Sequence, residues 1–194
     1  IAVAHDPSLR TERLARIWQR LRQGGFEGEI TLIGEEPAAP YQRPPLSKAY
    51  LKGDLDIDRL MLRPASVYAE ERIALLTKTR AVWIDRANRK VRVEGGRELP
   101  YDALVLATGA KPRKLPLVGA DLDGVYLFRT AADVDRVRER FVSGAKLIVI
   151  GAGYIGLEVA AVARQCGLDV TVEAYPYGAG MTSIASALFN PGWR

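Results

Sequence analysis

The chain of 194 residues holds one cysteine, Cys166, and one histidine, His5. A lone thiol cannot close an intrachain redox disulfide, so CxxC chemistry is excluded. A lone imidazole in the N-terminal segment leaves no material for a histidine-based triad or a zinc site, and no metal is expected. Long apolar runs are also missing: none approaches the ~20 residues that span a bilayer, and no signal-peptide core opens the chain. A cytoplasmic protein without a membrane partner is the expectation. Charge of either sign is unremarkable, with a net +5 from 28 basic and 23 acidic residues. The arginines are spread along the chain and form no patch, which argues against nucleic acid as a partner. Cys166 falls in the helical pattern AAVARQCG, where a buried, inert thiol is expected.

What is present is a glycine turn. The apolar run Leu147 to Ile150 stops at Gly151-Ala152-Gly153-Tyr154-Ile155-Gly156, and a helical pattern starts at once. Strand, glycine turn and helix in that order suit a dinucleotide diphosphate. Gly151 permits the tight turn, Gly153 lets backbone approach the phosphates, and Gly156 lets helix pack on strand. Ile155 lies among these cofactor-binding positions, at a helix N-terminus whose N–H groups favour an anion. Glu173 follows at the end of the next apolar run, Leu168 to Val172. A carboxylate there accepts from ribose hydroxyls and repels a 2′-phosphate, which favours NADH over NADPH. The alternative is a glycine-rich turn with no ligand.

Elsewhere the pattern predicts a helix over 11–23, with Leu14, Ile17, Trp18 and Leu21 on one face and arginines on the rest. A strand is expected at 29–33 and a helix at 64–72. Candidate strands at 73–76, 80–84, 90–94 and 101–107 suggest a small antiparallel meander leading into a buried parallel strand. A short strand near 124–128 and a helix over 131–142 precede the glycine turn. Size allows two small domains. The boundary is placed near 114, giving units 1–114 and 115–194.

Between 37 and 45 lie four prolines in nine residues, so the path is extended and stiff. Arg43 and Lys48 sit in the loop Pro40 to Leu51, with no obvious acid partner nearby in sequence. A stiff loop holding cations after a strand ending in Gly34-Glu35-Glu36 suits a second phosphate-bearing ligand, although exposed loop cations are often only solvated.

PYQRPPLSKAYLKG, LVLATGAKPR and IVIGAGYIGLEVAA together resemble the FAD-dependent pyridine nucleotide–disulfide oxidoreductase superfamily. The resemblance is to its ferredoxin, putidaredoxin and rubredoxin reductase branch, which lacks a redox disulfide. It implies an α/β chain of two Rossmann-like units, three-layered, with parallel sheets and a β-meander. It also implies FAD and NAD(P)H as cofactors, and a ferredoxin-type iron–sulfur protein as the electron acceptor. By resemblance Glu35 holds the FAD ribose, Arg43 lies along its diphosphate and the Ala81 backbone meets the adenine. Thr108 and Gly109 form the turn passing FAD, and Arg129 reaches the flavin side. Lys48 sits near the flavin, and Glu158 pairs with it and faces the nicotinamide, so these two are the catalytic candidates.

The ends depart from that pattern. The FAD glycine turn is expected near positions 9, 11 and 14, which hold Leu9, Thr11 and Leu14. Ile1 to Ala4 reads as too short for the usual first strand. After Glu173 the expected strand–helix repeat gives way to an aperiodic tail. A truncated chain with weakened FAD binding is the resulting expectation. A non-catalytic nucleotide-binding module and a nonfunctional remnant are the alternatives.

Overall fold

The computed structural model describes the backbone of residues 2–5 and 11–16, and backbone with side chains for 17–112, 114, 116 and 118–173. Two α/β arrangements follow each other along this chain.

The first is a parallel sheet of β1 (Ala2–His5), β2 (Ile30–Gly34), β3 (Ile73–Leu76) and β7 (Leu104–Ala107). Among the described residues its strand order is β3-β2-β1-β7. The expectation that the N-terminus is too short for a first strand is corrected. β1 pairs with Thr31–Gly34 on one side and Leu104–Ala107 on the other. Ladders on both sides satisfy the backbone of even a four-residue strand. Strand 73–76 belongs to this sheet, parallel to β2, and not to the meander. β7 is shorter than predicted and lies at the sheet edge, so Leu106 is 58% exposed and the strand is not buried.

The meander consists of β4 (Ala81–Asp85), β5 (Lys90–Val93) and β6 (Glu98–Pro100), all antiparallel. The third of these strands was not predicted. Ile33 of the parallel sheet packs with Val91 and Val93, which fastens the meander to it.

Helix α1 (Thr11–Gln23) forms as the periodicity predicts. Trp18 is buried with Ile30, Leu32, Tyr68 and Ile73, and its ring meets Tyr68 edge-on at 5.0 Å. Arg22, predicted to lie away from the apolar face, has a structural task instead. Its guanidinium donates to the carbonyls of Glu71, Phe26, Gly28 and Arg72 at 2.8, 2.6, 2.9 and 3.1 Å. One planar fork thereby ties the loop after α1 to the turn before β3.

The proline loop leads into a 3₁₀ turn (Pro44–Ser47) and three short helices, α2 (Ala49–Lys52), α3 (Ile57–Leu60) and α4 (Ala65–Glu70). Residues 124–128 are not a strand: Gly124 closes a turn at φ +91°, and Tyr126 and Phe128 pack against the core. Helix α5 (Ala131–Arg138) starts at a capping box between Thr130 and Asp133 and stops earlier than predicted.

The second arrangement is a βαβ unit. β8 (Lys146–Ile150) and β9 (Asp169–Glu173) pair in parallel, with α6 (Tyr154–Gln165) as the crossover. Cys166 caps α6 at its C-terminal end, where it packs beside the core but stays partly exposed, so the fully buried thiol is corrected. Tyr41, Leu46 and Tyr50 of the loop region share one core with Val134 of α5 and Val159 and Val162 of α6. Among the described residues, no helix is long and apolar enough to cross a membrane.

Candidate functional site

The glycine turn joins β8 to α6 as the sequence required. Gly151 has φ +115°, which disfavours any side chain, and its N–H donates to the Glu173 carbonyl at 3.0 Å. At Gly156 an added β-carbon would lie 1.9 Å from the Gly151 oxygen, so only glycine lets α6 approach the strand this closely. Gly153 is different. Its φ is −74° and a β-carbon there would meet nothing within 4 Å. The fold itself does not need glycine at 153, and the bare backbone there stays open to the cleft. Gly153 is the N-cap of α6, and no side chain caps it.

A cleft of about 570 Å³ opens at this turn, lined by Tyr126, Gly151, Gly153, Tyr154, Ile155 and Gly156 among others. Tyr154 and Ile155 are 80% and 54% exposed. Glu173 ends β9 directly opposite Ile150, with its side chain exposed. Turn, helix N-terminus and acid thus converge at the C-terminal ends of two parallel strands, where open α/β sheets bind ligands. These residues fit a nicotinamide dinucleotide.

The paired candidates Lys48 and Glu158 are brought together from distant parts of the chain. Lys48 Nζ lies 2.7 Å from Glu158 Oε1. Ser47, almost fully buried at the end of the 3₁₀ turn, donates from Oγ to Glu158 Oε2. Burial pushes the Glu158 carboxyl upward, but the hydrogen bonds from Lys48 and Ser47 outweigh it and hold the group below its usual range. Glu158 is therefore a carboxylate at neutral pH, and it fixes an ammonium beside α6.

Arg43 does have an acid partner. Its guanidinium is hydrogen-bonded to Glu36 and to the Arg129 carbonyl. Tyr41 donates from Oη to the other Glu36 oxygen and accepts from the Ala131 N–H at 3.0 Å. Burial pushes the Tyr41 hydroxyl well above the ordinary tyrosine range, and Glu36 adds to that rise. The role inferred for the Arg129 side chain is accompanied by a use of its backbone, which anchors Arg43 at the start of α5.

Glu35 lies just past β2, exposed, with Arg80 and Lys111 each 3.9 Å away. Thr108 and Gly109 follow β7, so both lie at the same end of the sheet as Glu35. Ala81 opens β4 opposite Val93, beside a register shift. The ribose acid and the Thr108-Gly109 turn fit one end of an FAD. The cradle for its diphosphate does not match the second unit: positions 6–10 contain no glycine, and Leu9 lies outside the described residues. Thr11 and Leu14 are helical.

Sequence reasoning missed Glu36, Tyr41 and Ser47. The acid signal for Arg43 was available in the Glu35-Glu36 pair, seven residues upstream. Ser47 gave no signal beyond its place next to Lys48. Among the described residues no acidic, histidine or cysteine cluster suits a metal.

Known proteins are similar to this chain in sequence and fold. A family model described as pyridine nucleotide-disulphide oxidoreductase matches residues 15–186. Rhodocoxin reductase of Rhodococcus erythropolis is 49% identical over 173 residues, which is 88% of this chain and 40% of that protein. Rubredoxin-NAD(+) reductase of Pseudomonas putida is 42% identical over 163 residues, 84% of this chain and 42% of that protein. The solved covalent complex of putidaredoxin reductase with putidaredoxin superposes with a TM-score of 0.78 at 38% identity, covering 88% of this chain and 41% of that one. The chain thus spans about 40% of the length of the curated relatives it matches.

Proposed function

Because this chain belongs to the pyridine nucleotide–disulphide oxidoreductase family, we propose that it carries the nucleotide-handling part of an FAD-dependent NADH reductase whose electron acceptor is a ferredoxin-type iron–sulfur protein. The observation that carries the reading is Gly153: an uncrowded glycine, with no conformational need of its own, at an uncapped helix start above a cleft. FAD, when bound, accepts hydride from NADH and releases electrons one at a time.

The residues of the chain place and polarise these groups. Gly151, Gly153, Ile155 and Gly156 receive the NADH diphosphate, and Glu173 takes the ribose hydroxyls and disfavours a 2′-phosphate. Glu35, Ala81, Thr108 and Gly109 face the FAD adenosine side, while Arg43 and Arg129 serve its diphosphate and flavin side. Lys48, held by Glu158, supplies positive charge that favours an anionic reduced flavin. The name of the rubredoxin-NAD(+) reductase supports NADH, and the putidaredoxin complex supports a small iron–sulfur partner. A divide near residue 114 and a cytoplasmic setting, where NADH is the ready reductant, are part of the reading.

The visible spectrum of the purified chain after incubation with FAD tests it. Retained flavin bands that bleach on adding NADH without oxygen are the expected outcome. Free flavin after desalting overturns flavin-dependent activity for this chain.

The glycine-free stretch between β1 and α1 favours a second reading, a module that binds NADH without chemistry. Calorimetry with NADH and no flavin separates the two. Heat without flavin retention selects the module, and no heat at millimolar NADH removes both.

A further inference from the structure

Two polar side chains are buried among the described residues, Ser47 and Asp133. Asp133 is explained by the fold: it closes the capping box of α5 and holds Arg136 at 2.6 Å. Ser47 caps nothing. It ends the 3₁₀ turn, 4% exposed, and its hydroxyl donates to Glu158 Oε2 across 111 positions of sequence. Lys48, the next residue, takes Oε1 at 2.7 Å.

We propose that Ser47 is a positioning residue: its hydroxyl fixes the Glu158 carboxylate so that one oxygen is always presented to the Lys48 ammonium. The terminal torsion of a glutamate is broad and weakly restrained. A carboxylate held at one oxygen only turns about that torsion, and the long lysine stem follows it. With both oxygens held by adjacent residues of one turn, rotation breaks two hydrogen bonds together. The Lys48 side chain is 53% exposed, and a pair so exposed has little directional hold of its own. Ser47 supplies the direction from the buried side.

The Glu158 environment is simple enough to test. Lys48 is the charged group acting on it among the described residues. On the packed helix α5, Asp133 pairs with Arg136, and Asp135 pairs with Arg138 and accepts from Tyr50. The significance of the held ammonium rests on the flavin reading above, but the placement itself is tested without any nucleotide.

The experiment follows the Glu158 carboxyl by carbon NMR in the purified chain, with Glu158→Gln providing the assignment. In Ser47→Ala the titration is expected to move upward toward the ordinary glutamate value, while Ser47→Thr, which keeps the hydroxyl, titrates as the parent does. Should Ser47→Ala fail to fold, Ser47→Cys, a weaker donor of similar size, carries the same comparison and the same upward movement. An unmoved titration in whichever of these folds overturns the proposal. In protein loaded with FAD, Ser47→Ala is expected to slow bleaching by NADH about tenfold with NADH affinity unchanged. Loss of flavin binding in the parent itself would sink the functional reading while the nucleotide-free titration still decides the role of Ser47.

Discussion

Gly156 stands so close to Gly151 that a β-carbon on the first would lie 1.9 Å from the carbonyl oxygen of the second. A β-carbon on Gly153, between them, would meet nothing within 4 Å. The three glycines of one motif therefore answer to different demands, two from the fold and, under the proposed function, one from a ligand.

Alanine separates these demands. Gly156→Ala is expected to lower stability by about 2–4 kcal/mol in denaturant unfolding, because α6 must move off β8. Gly153→Ala is expected to change stability by less than about 0.5 kcal/mol. Its effect is to weaken NADH binding by about tenfold or more, read by calorimetry, since the new methyl occupies the space of the diphosphate. A Gly153→Ala chain that binds NADH as the parent does would contradict the assigned cradle.

Arg22 offers a test of the first sheet. Its four carbonyl contacts require a planar fork, which lysine lacks. Arg22→Lys is expected to cost about 1–2 kcal/mol and Arg22→Met about 2–4 kcal/mol in urea unfolding, as carbonyls around the two loops lose their donor. Equal stability of all three proteins would show that water replaces the guanidinium without loss.

The buried tyrosines predict opposite outcomes for one substitution. Tyr41→Phe removes a hydroxyl that serves both Glu36 and the Ala131 N–H, and about 1–3 kcal/mol of destabilisation is expected. The Tyr68 hydroxyl is buried with no hydrogen-bond partner among the described residues. Tyr68→Phe is therefore expected to be neutral or slightly stabilising in the same thermal scan.

Alkaline pH acts on Tyr50 and Tyr68. Burial, aided by Asp135, pushes Tyr50 up from 10.0 to about 12, and burial against a smaller opposing effect of Arg63 does the same to Tyr68. A folded value above the unfolded one means that the contribution is complete below pH 10 and declines as pH rises toward 12. Unfolding midpoints measured across that interval are expected to fall, with the phenolate absorbance lost in Tyr50→Phe and Tyr68→Phe appearing together with unfolding. Ionisation of Tyr50 and Tyr68 near pH 10 in a chain still folded would refute this.

Glu173 governs nucleotide choice under the proposed function. Glu173→Ser is expected to narrow the preference for NADH over NADPH by about tenfold in binding titrations, mainly by relieving repulsion of the 2′-phosphate. An unchanged ratio would place the ribose elsewhere.

The parts of this fold that were legible in the sequence are those set by local rules. The glycine turn, the amphipathic stripe of α1 and the meander turns each depend on a few neighbouring residues. β1 was misread because a four-residue strand is stable only through Thr31–Gly34 and Leu104–Ala107, one partner lying about a hundred positions away. The segment 124–128 is an apolar run short enough to suggest a strand, yet strand identity depends on a hydrogen-bonded partner, and the described residues give it none. At the site, Lys48 and Glu158 came from resemblance, and no spacing rule joins them. Ser47 and Tyr41 became visible only once the 3₁₀ turn and α5 were packed against α6 and the proline loop.

The core that Tyr50 shares with Val134 and Val162 bears on how the chain comes apart. Apolar contacts bridge the proposed divide near residue 114. Warming the protein should thus give a single calorimetric peak across both halves, and an excised second half would forfeit part of its own interior.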